Sequence, residues 1–200
     1  VDVISLCEHA GYDLIIVESV GLGQSEVELD QAVDMFVLLV SPGGGDDLQA
    51  SKKGVMEAAD LLVVSKADGE LLNVAKHTKA DYAGTMSMLR PKDHLWAPRV
   101  QLVSVKTRQG LEDFMNTASE FHDTMTRSGH LDAKRGRQAM HWVGAHFRRL
   151  VENEVQSNPR LSTEAEEAKV NVQRGALSPR MAARSLLNTL RHSGDGEEVH

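Results

Sequence analysis

Four short apolar runs rich in β-branched residues constrain this chain more than any other feature: 14–17 (LIIV), 35–40 (MFVLLV), 61–64 (LLVV) and 100–103 (VQLV). Each is continuous rather than alternating, as expected of strands covered on both faces. Helical stretches at roughly 48–59 and 69–89 separate the later runs, another at 110–126 follows the fourth, and the opening VDVISLCEHAGYD also reads as a helix. Strand alternating with helix predicts parallel pairing through right-handed crossovers, an α/β layered sheet. In such sheets ligands bind beyond the carboxyl ends of the strands. The unusual segments all fall there: 18–26 after the first run, 41–53 after the second, 65–68 after the third and 104–110 after the fourth. That coincidence predicts a ligand site.

The character changes near Ser128 and Gly129, so the expected division is an α/β body over 1–128 and a helical region over 129–200. Met140, Val143, Phe147, Leu150, Val151 and Val155 recur at three- and four-residue spacing, an amphipathic stripe on a helix of roughly 25 residues that Pro159 is expected to end. Thr163 with Glu166 suggests a capping box for a second helix, stopped near Gly175. Ser178 and Pro179 read as N-cap and N1 of a third, carrying Leu186, Leu187 and Leu190. Three helices with one stripe each make a poor independent core. The stripe of Met140, Val143, Phe147 and Val151 and the cluster of Leu186, Leu187 and Leu190 are therefore the expected contacts of a symmetric homodimer. The alternative is that the helices fold back on the α/β body.

A net charge of −7 argues against a nucleic-acid partner, which needs a clustered basic surface. The longest apolar run is far short of the ~20 residues that span a bilayer, so no membrane role is expected. A single cysteine, Cys7, excludes an internal disulfide framework and fits a reducing compartment. The chain opens on Val1, already inside the first helix, so the natural N-terminus and any targeting peptide are expected upstream.

The loops carry the chemistry. In Ser65-Lys66-Ala67-Asp68, a carboxylate at a strand end can accept from the ring N–H and exocyclic amine of guanine, while the lysine stem lies along the base. A helix N-cap would give the same four residues. Ser104-Val105-Lys106, in VSVKTRQGLEDF, is similar to the loop that backs the same base through its main chain, and a helix entry turning at Gly110 would read alike. Glu18 and Gly21 form an acid-x-x-Gly after a strand. There the acid can hold a Mg²⁺ water and a backbone N–H can sense a terminal phosphate. Gly23 and Gln24 would then lie in a loop whose state depends on that phosphate; a solvated turn is the plain alternative. Gly43, Gly44 and Gly45 cost backbone entropy and introduce Asp46, Asp47, Gln49, Lys52 and Lys53. The acids make a poor phosphate cradle, so this segment reads as a second moving loop or a flexible surface loop.

Taken together, VESVGLGQSE, PGGGDDLQASKKG, ADLLVVSKADGE and GALSP resemble the methylmalonyl-CoA mutase-associated GTPases, the methylmalonic aciduria type A, MeaB and ArgK proteins. The resemblance covers essentially the whole chain. It implies a P-loop GTPase core of the SIMIBI class, homodimeric through C-terminal helices, that uses GTP, GDP and Mg²⁺. It also implies a partner, the cobalamin-dependent methylmalonyl-CoA mutase, which such proteins protect and reload. By it Glu18 and Gly21 fall in the Mg²⁺ and γ-phosphate motif, and Gly23, Gln24, Ser25 and Glu26 in switch II. The stretch from Gly43 to Lys53 falls on the family's additional switch. Ser65, Lys66 and Asp68 fall on the guanine motif NKxD, with serine where asparagine is usual. The implied location is the mitochondrial matrix in a eukaryote and the cytoplasm in a bacterium.

The family's phosphate loop, GxxGxGKS, is not in these 200 residues, and no GK[ST] occurs anywhere in them. The expectation is thus a fragment holding the base pocket, two switches and the dimer region, inactive by itself because the phosphate clamp lies upstream. The alternatives are a non-hydrolysing adaptor that binds a partner through the helices, and a nickel-type metallochaperone GTPase, which would want a cysteine–histidine cluster where this sequence scatters its histidines. A small-molecule kinase would need a separate substrate site that the sequence does not offer.

Overall fold

The computed structural model describes residues 2–19, 29–43 and 53–193. Its elements are α1 (Asp2–His9), β1 (Val37–Val40), α2 (Lys53–Ala58), β2 (Leu61–Val64), α3 (Leu72–Met88, entered through a 3₁₀ turn at Gly69–Leu71), β3 (Arg99–Leu102), α4 (Leu111–Arg127), α5 (His130–Ser157), α6 (Pro159–Gln173) and α7 (Pro179–Ser193). The strands form one parallel sheet in the order β1-β2-β3, with Val37 opposite Leu61 and Leu61 opposite Arg99.

The all-apolar LLVV of β2 is buried along its whole length, as befits the central strand. Leu62 and Val64 pack with Leu38, Val40, Ala75, Tyr82 and Met86 on the α3 side of the sheet. Leu61 and Val63 pack with Val103, Leu111 and Phe114 on the α4 side. Burying four such side chains stabilises the sheet by roughly 1.5–3 kcal/mol each, which exceeds any surface term nearby. A third cluster, Trp96, Phe121, Met125 and Leu131, joins the β3 approach to α4 and the start of α5.

Two expectations need correction. Residues 14–17 are not a strand: they run without regular structure, with Leu14 65% and Ile16 83% exposed. An apolar run becomes a strand only against a neighbour's row of N–H and C=O groups. Among the described residues β1 pairs with β2 alone, and the run does not pair with its open edge. Pro159 also opens a helix rather than only ending one. It sits at N1 of α6 behind Asn158, whose Oδ1 accepts from the N–H of Arg160 (3.1 Å) and of Leu161 (3.3 Å). Thr163 therefore lies inside α6, its hydroxyl donating to the Pro159 carbonyl at 2.8 Å instead of capping. Ser178 and Pro179 do begin α7, with the Met181 N–H donating to Ser178 Oγ.

The chain forms two compact units, Val1–Ala139 and Met140–His200, and the division falls within α5. The first holds the sheet. In the second, α6 packs against α7 around Leu161, which is fully buried, and Ala182. No helix among the described residues is long and apolar enough to cross a membrane.

Candidate functional site

β2 and β3 are neighbours in register, so the segments after Val64 and Leu102 leave the sheet side by side. The Ser65 N–H and hydroxyl both donate to the Val40 carbonyl, at 2.9 and 3.0 Å, which ties this exit to the end of β1. Lys66 takes a left-handed conformation (φ 54°). The buried Ala67 donates its N–H to the Val103 carbonyl (3.2 Å), and the Asp68 N–H donates to Lys66 O (2.9 Å). This tight reversal sets Asp68 against the second loop, where the Ser104 hydroxyl donates to Asp68 Oδ2. Ser104 is fully buried, its Oγ also accepts from the Thr107 N–H at 3.1 Å, and its own N–H donates to Gln109 O at 3.0 Å. Gly110 closes the loop at φ 77°, a region that disfavours any side chain.

The result is a half-buried carboxylate fixed at the carboxyl ends of two adjacent strands, with Lys66, Val105 and Lys106 exposed around it. An ionised carboxylate only accepts hydrogen bonds, so it selects a ligand edge with adjacent N–H donors. Ser65, Lys66, Asp68, Ser104, Val105 and Lys106, separated in sequence, are brought together here.

The other expected positions are described only in part. Glu18 lies exposed beyond residues 14–17. Gly43 takes φ 79° and donates its N–H to Thr78 Oγ1 at 3.1 Å, which anchors the start of the triple-glycine segment on α3. Gly21, Gly23, Gln24, Ser25, Glu26, Gly44, Gly45, Asp46, Asp47, Gln49 and Lys52 lie outside the described residues. Of the expected dimer contacts, Met140, Val143 and Phe147 are 72%, 63% and 66% exposed, and Leu187 is exposed too; Val151, Leu186 and Leu190 are half-buried.

A charge network escaped the sequence reading. Lys92 Nζ donates to Asp30 Oδ1 (2.7 Å), to Asp60 Oδ2 (3.0 Å) and to the Ala58 carbonyl (3.0 Å). Asp60 Oδ2 also accepts from the Phe36 N–H at 2.8 Å. From α5, Lys134 reaches Asp30 and the Asp34 carbonyl, Arg135 pairs with Asp34, and the buried Gln138 donates to the carbonyls of Asp30 and Val33. Burial raises the Asp60 carboxyl above its ordinary range despite Lys92, and burial together with repulsion from Lys92 lowers Lys134. The one local signal was an acid set directly before an apolar strand.

Residues 1–160 match the family model described as methylmalonyl Co-A mutase-associated GTPase MeaB. The mitochondrial methylmalonic aciduria type A homologue of Mus musculus is 38% identical over 190 residues, covering 95% of this chain and 46% of that protein. The GTPase ArgK of Escherichia coli is 38% identical over 184 residues, covering 90% of this chain and 55% of that protein. A crystal structure of a LAO/AO transport system kinase superposes with a TM-score of 0.73 at 31% identity, over 95% of this chain and 61% of that one. The chain spans about half the length of the curated relatives it matches. A parallel sheet with its polar loops gathered at one end, a carboxylate–serine junction at that end and a family match over most of the length lead to one assignment: the chain belongs to the methylmalonyl-CoA mutase-associated GTPase family.

Proposed function

We propose that this chain carries the guanine-recognition and dimerisation parts of a GTP-hydrolysing chaperone for a cobalamin-dependent methylmalonyl-CoA mutase. The observation that supports it most is the junction in which buried Ser104 fixes Asp68 at the carboxyl ends of β2 and β3. Asp68 accepts from the guanine ring N–H and exocyclic amine, and Lys66 lies along the base. Glu18 would hold Mg²⁺ through a water, and the ion would neutralise phosphate charge during hydrolysis. Hydrolysis belongs to the whole protein, since the phosphate-loop motif is not in these 200 residues. The homodimer rests on the exposed Met140, Val143, Phe147 and Leu150. The mutase partner rests on the family description and a mitochondrial location on the name of the mouse relative, while a bacterial cytoplasmic one rests on the resemblance alone.

Competition titrations of full-length protein with GDP, ADP and xanthosine diphosphate test the base assignment. GDP should bind far tighter than ADP. Asp68→Asn, which exchanges acceptor for donor, should weaken GDP on the order of 10²–10⁴-fold and shift preference towards xanthosine, whose carbonyl accepts where guanine's amine donates. Equal affinity for GDP and ADP in the wild type would sink the assignment.

A further inference from the structure

The nine histidines are scattered in sequence, yet two of them meet in the fold. Asp93, His94 and His130 each present a ligand atom within 4.8 Å of the other two, and the imidazole rings stand edge to face with centroids 5.2 Å apart. The cluster lies within the first compact unit, on the segment before β3 and at the start of α5, whereas Asp68 follows β2.

Its backbone is set in advance. Lys92, just before the cluster, is held by Asp30, Asp60 and the Ala58 carbonyl. Trp96, just after it, is buried, donates its indole N–H to the Asp60 carbonyl (2.8 Å) and packs edge-on against Phe121. A single antiparallel bridge joins Asp93 to Trp96, and Asp93 Oδ1 accepts from the Leu95 N–H at 2.8 Å. On the other side His130 is the first residue of α5, between Gly129 in a left-handed turn (φ 72°) and the buried Leu131. The side chains remain adjustable, the His94 ring being 78% exposed and the Asp93 carboxylate 22%. A four-coordinate ion with bonds of about 2.1 Å needs ligand atoms about 3.4 Å apart, so binding requires side-chain rotation at Asp93 or His130 as well as at the exposed His94.

We propose that Asp93, His94 and His130 form a binding site for a divalent first-row transition ion of the Zn²⁺ type. Two imidazoles and one carboxylate suit Zn²⁺ or Co²⁺ and are a poor match for the all-oxygen octahedron of Mg²⁺. Three protein ligands leave a fourth position for water or a group from a partner. The positive end of α5 opposes a cation there; the Asp93 carboxylate offsets it, and the neighbouring cations Lys92 and Lys134 are engaged by Asp30 and Asp60. The bound ion would tie the segment before β3 to the start of α5.

The test is a titration of the metal-stripped chain with Co²⁺, followed by Zn²⁺ competition against a chromophoric chelator at pH 7.5, where free imidazoles are neutral. Wild type should take up one equivalent, show the visible absorption of four-coordinate Co²⁺ and melt higher with Zn²⁺ than without. His94→Ala and His130→Ala should each weaken binding at least tenfold and lose the thermal shift, and His141→Ala should do neither. Circular dichroism of the metal-free variants controls for folding, and His94, being exposed, should leave the metal-free melt unchanged. Absence of saturable binding, or equal affinity in wild type and His94→Ala, overturns the proposal.

Discussion

A Cβ built on Gly110 would lie 2.1 Å from the Leu102 carbonyl oxygen, a β3 backbone atom that cannot move aside without breaking the strand. Gly129 has a similar left-handed φ of 72°, but a Cβ there would meet nothing within 4 Å. The two positions separate backbone strain from collision. Gly129→Ala should cost about 1 kcal/mol, the left-handed penalty alone. Gly110→Ala should cost roughly 2 kcal/mol more, because β3 or the 104–109 loop must shift. Urea denaturation of both variants measures the difference, and equal costs would mean the loop yields freely. That loop presents Ser104 to Asp68, so Gly110→Ala should weaken guanine nucleotide as well, whereas Gly129→Ala should not. Asp68 alone read equally well as a helix N-cap, and it stood out in sequence only through the order and spacing it shares with the Ser104–Gly110 segment. The hydroxyl that fixes it was legible only as a second loop, since the contact spans 36 positions.

Apolar runs marked β1, β2 and β3 to within one or two residues, although only β2 is buried along its whole length, Leu39 of β1 being exposed and β3 carrying Arg99 and Gln101. The same signal failed at 14–17 because composition reports burial preference and not the presence of a neighbouring strand. Helix starts were less legible: Asn158 and Pro159 outcompeted the Thr163–Glu166 pair, an N1 proline behind a capping side chain being the stronger signal. The Asp30–Lys92–Asp60–Lys134 network left no periodic trace at all, yet it binds the segment after residue 28, the start of β2, the approach to β3 and α5 to one another. Burial holds the folded carboxyl of Asp60 above its ordinary value of 3.8. Between the two values the folded chain binds more protons than the unfolded chain. Asp60's contribution is therefore fully present below 3.8 and declines as pH rises through the folded value. Relative to Asp60→Asn, the wild type should lose part of its stability advantage as pH rises across that window. At neutral pH the variant should still be about 1–3 kcal/mol less stable, because Lys92 loses one of its two carboxylates and keeps Asp30 and the Ala58 carbonyl. Denaturation curves of both proteins from pH 4 to 7 check the sign; an advantage that grows with pH would mean the ion pair with Lys92, not burial, governs Asp60.

At the scale of the molecule, the question is what covers α5 beyond Ala139. Met140, Val143, Phe147 and Leu150 repeat at alternating steps of three and four, the spacing of a two-helix seam, and all four are more than 60% exposed. Within the second unit Leu161 and Ala182 are buried and Val151, Leu186 and Leu190 half-buried, whereas Met140, Val143, Phe147 and Leu150 stay in solvent. Four large apolar side chains exposed side by side on one helix face mark a candidate protein-binding patch. In a symmetric dimer one patch covers its own copy, and a single substitution acts twice. Phe147→Glu should raise the dimer dissociation constant at least 100-fold, ~3 kcal/mol, by placing two carboxylates at the centre of the seam. Phe147 is already 66% exposed in the single chain, so the substitution should leave its fold and circular dichroism unchanged. Sedimentation of full-length protein at tens of micromolar is the measurement. A wild-type monomer would rule the dimer out, and a Phe147→Glu protein that unfolds would show that the stripe packs within its own chain.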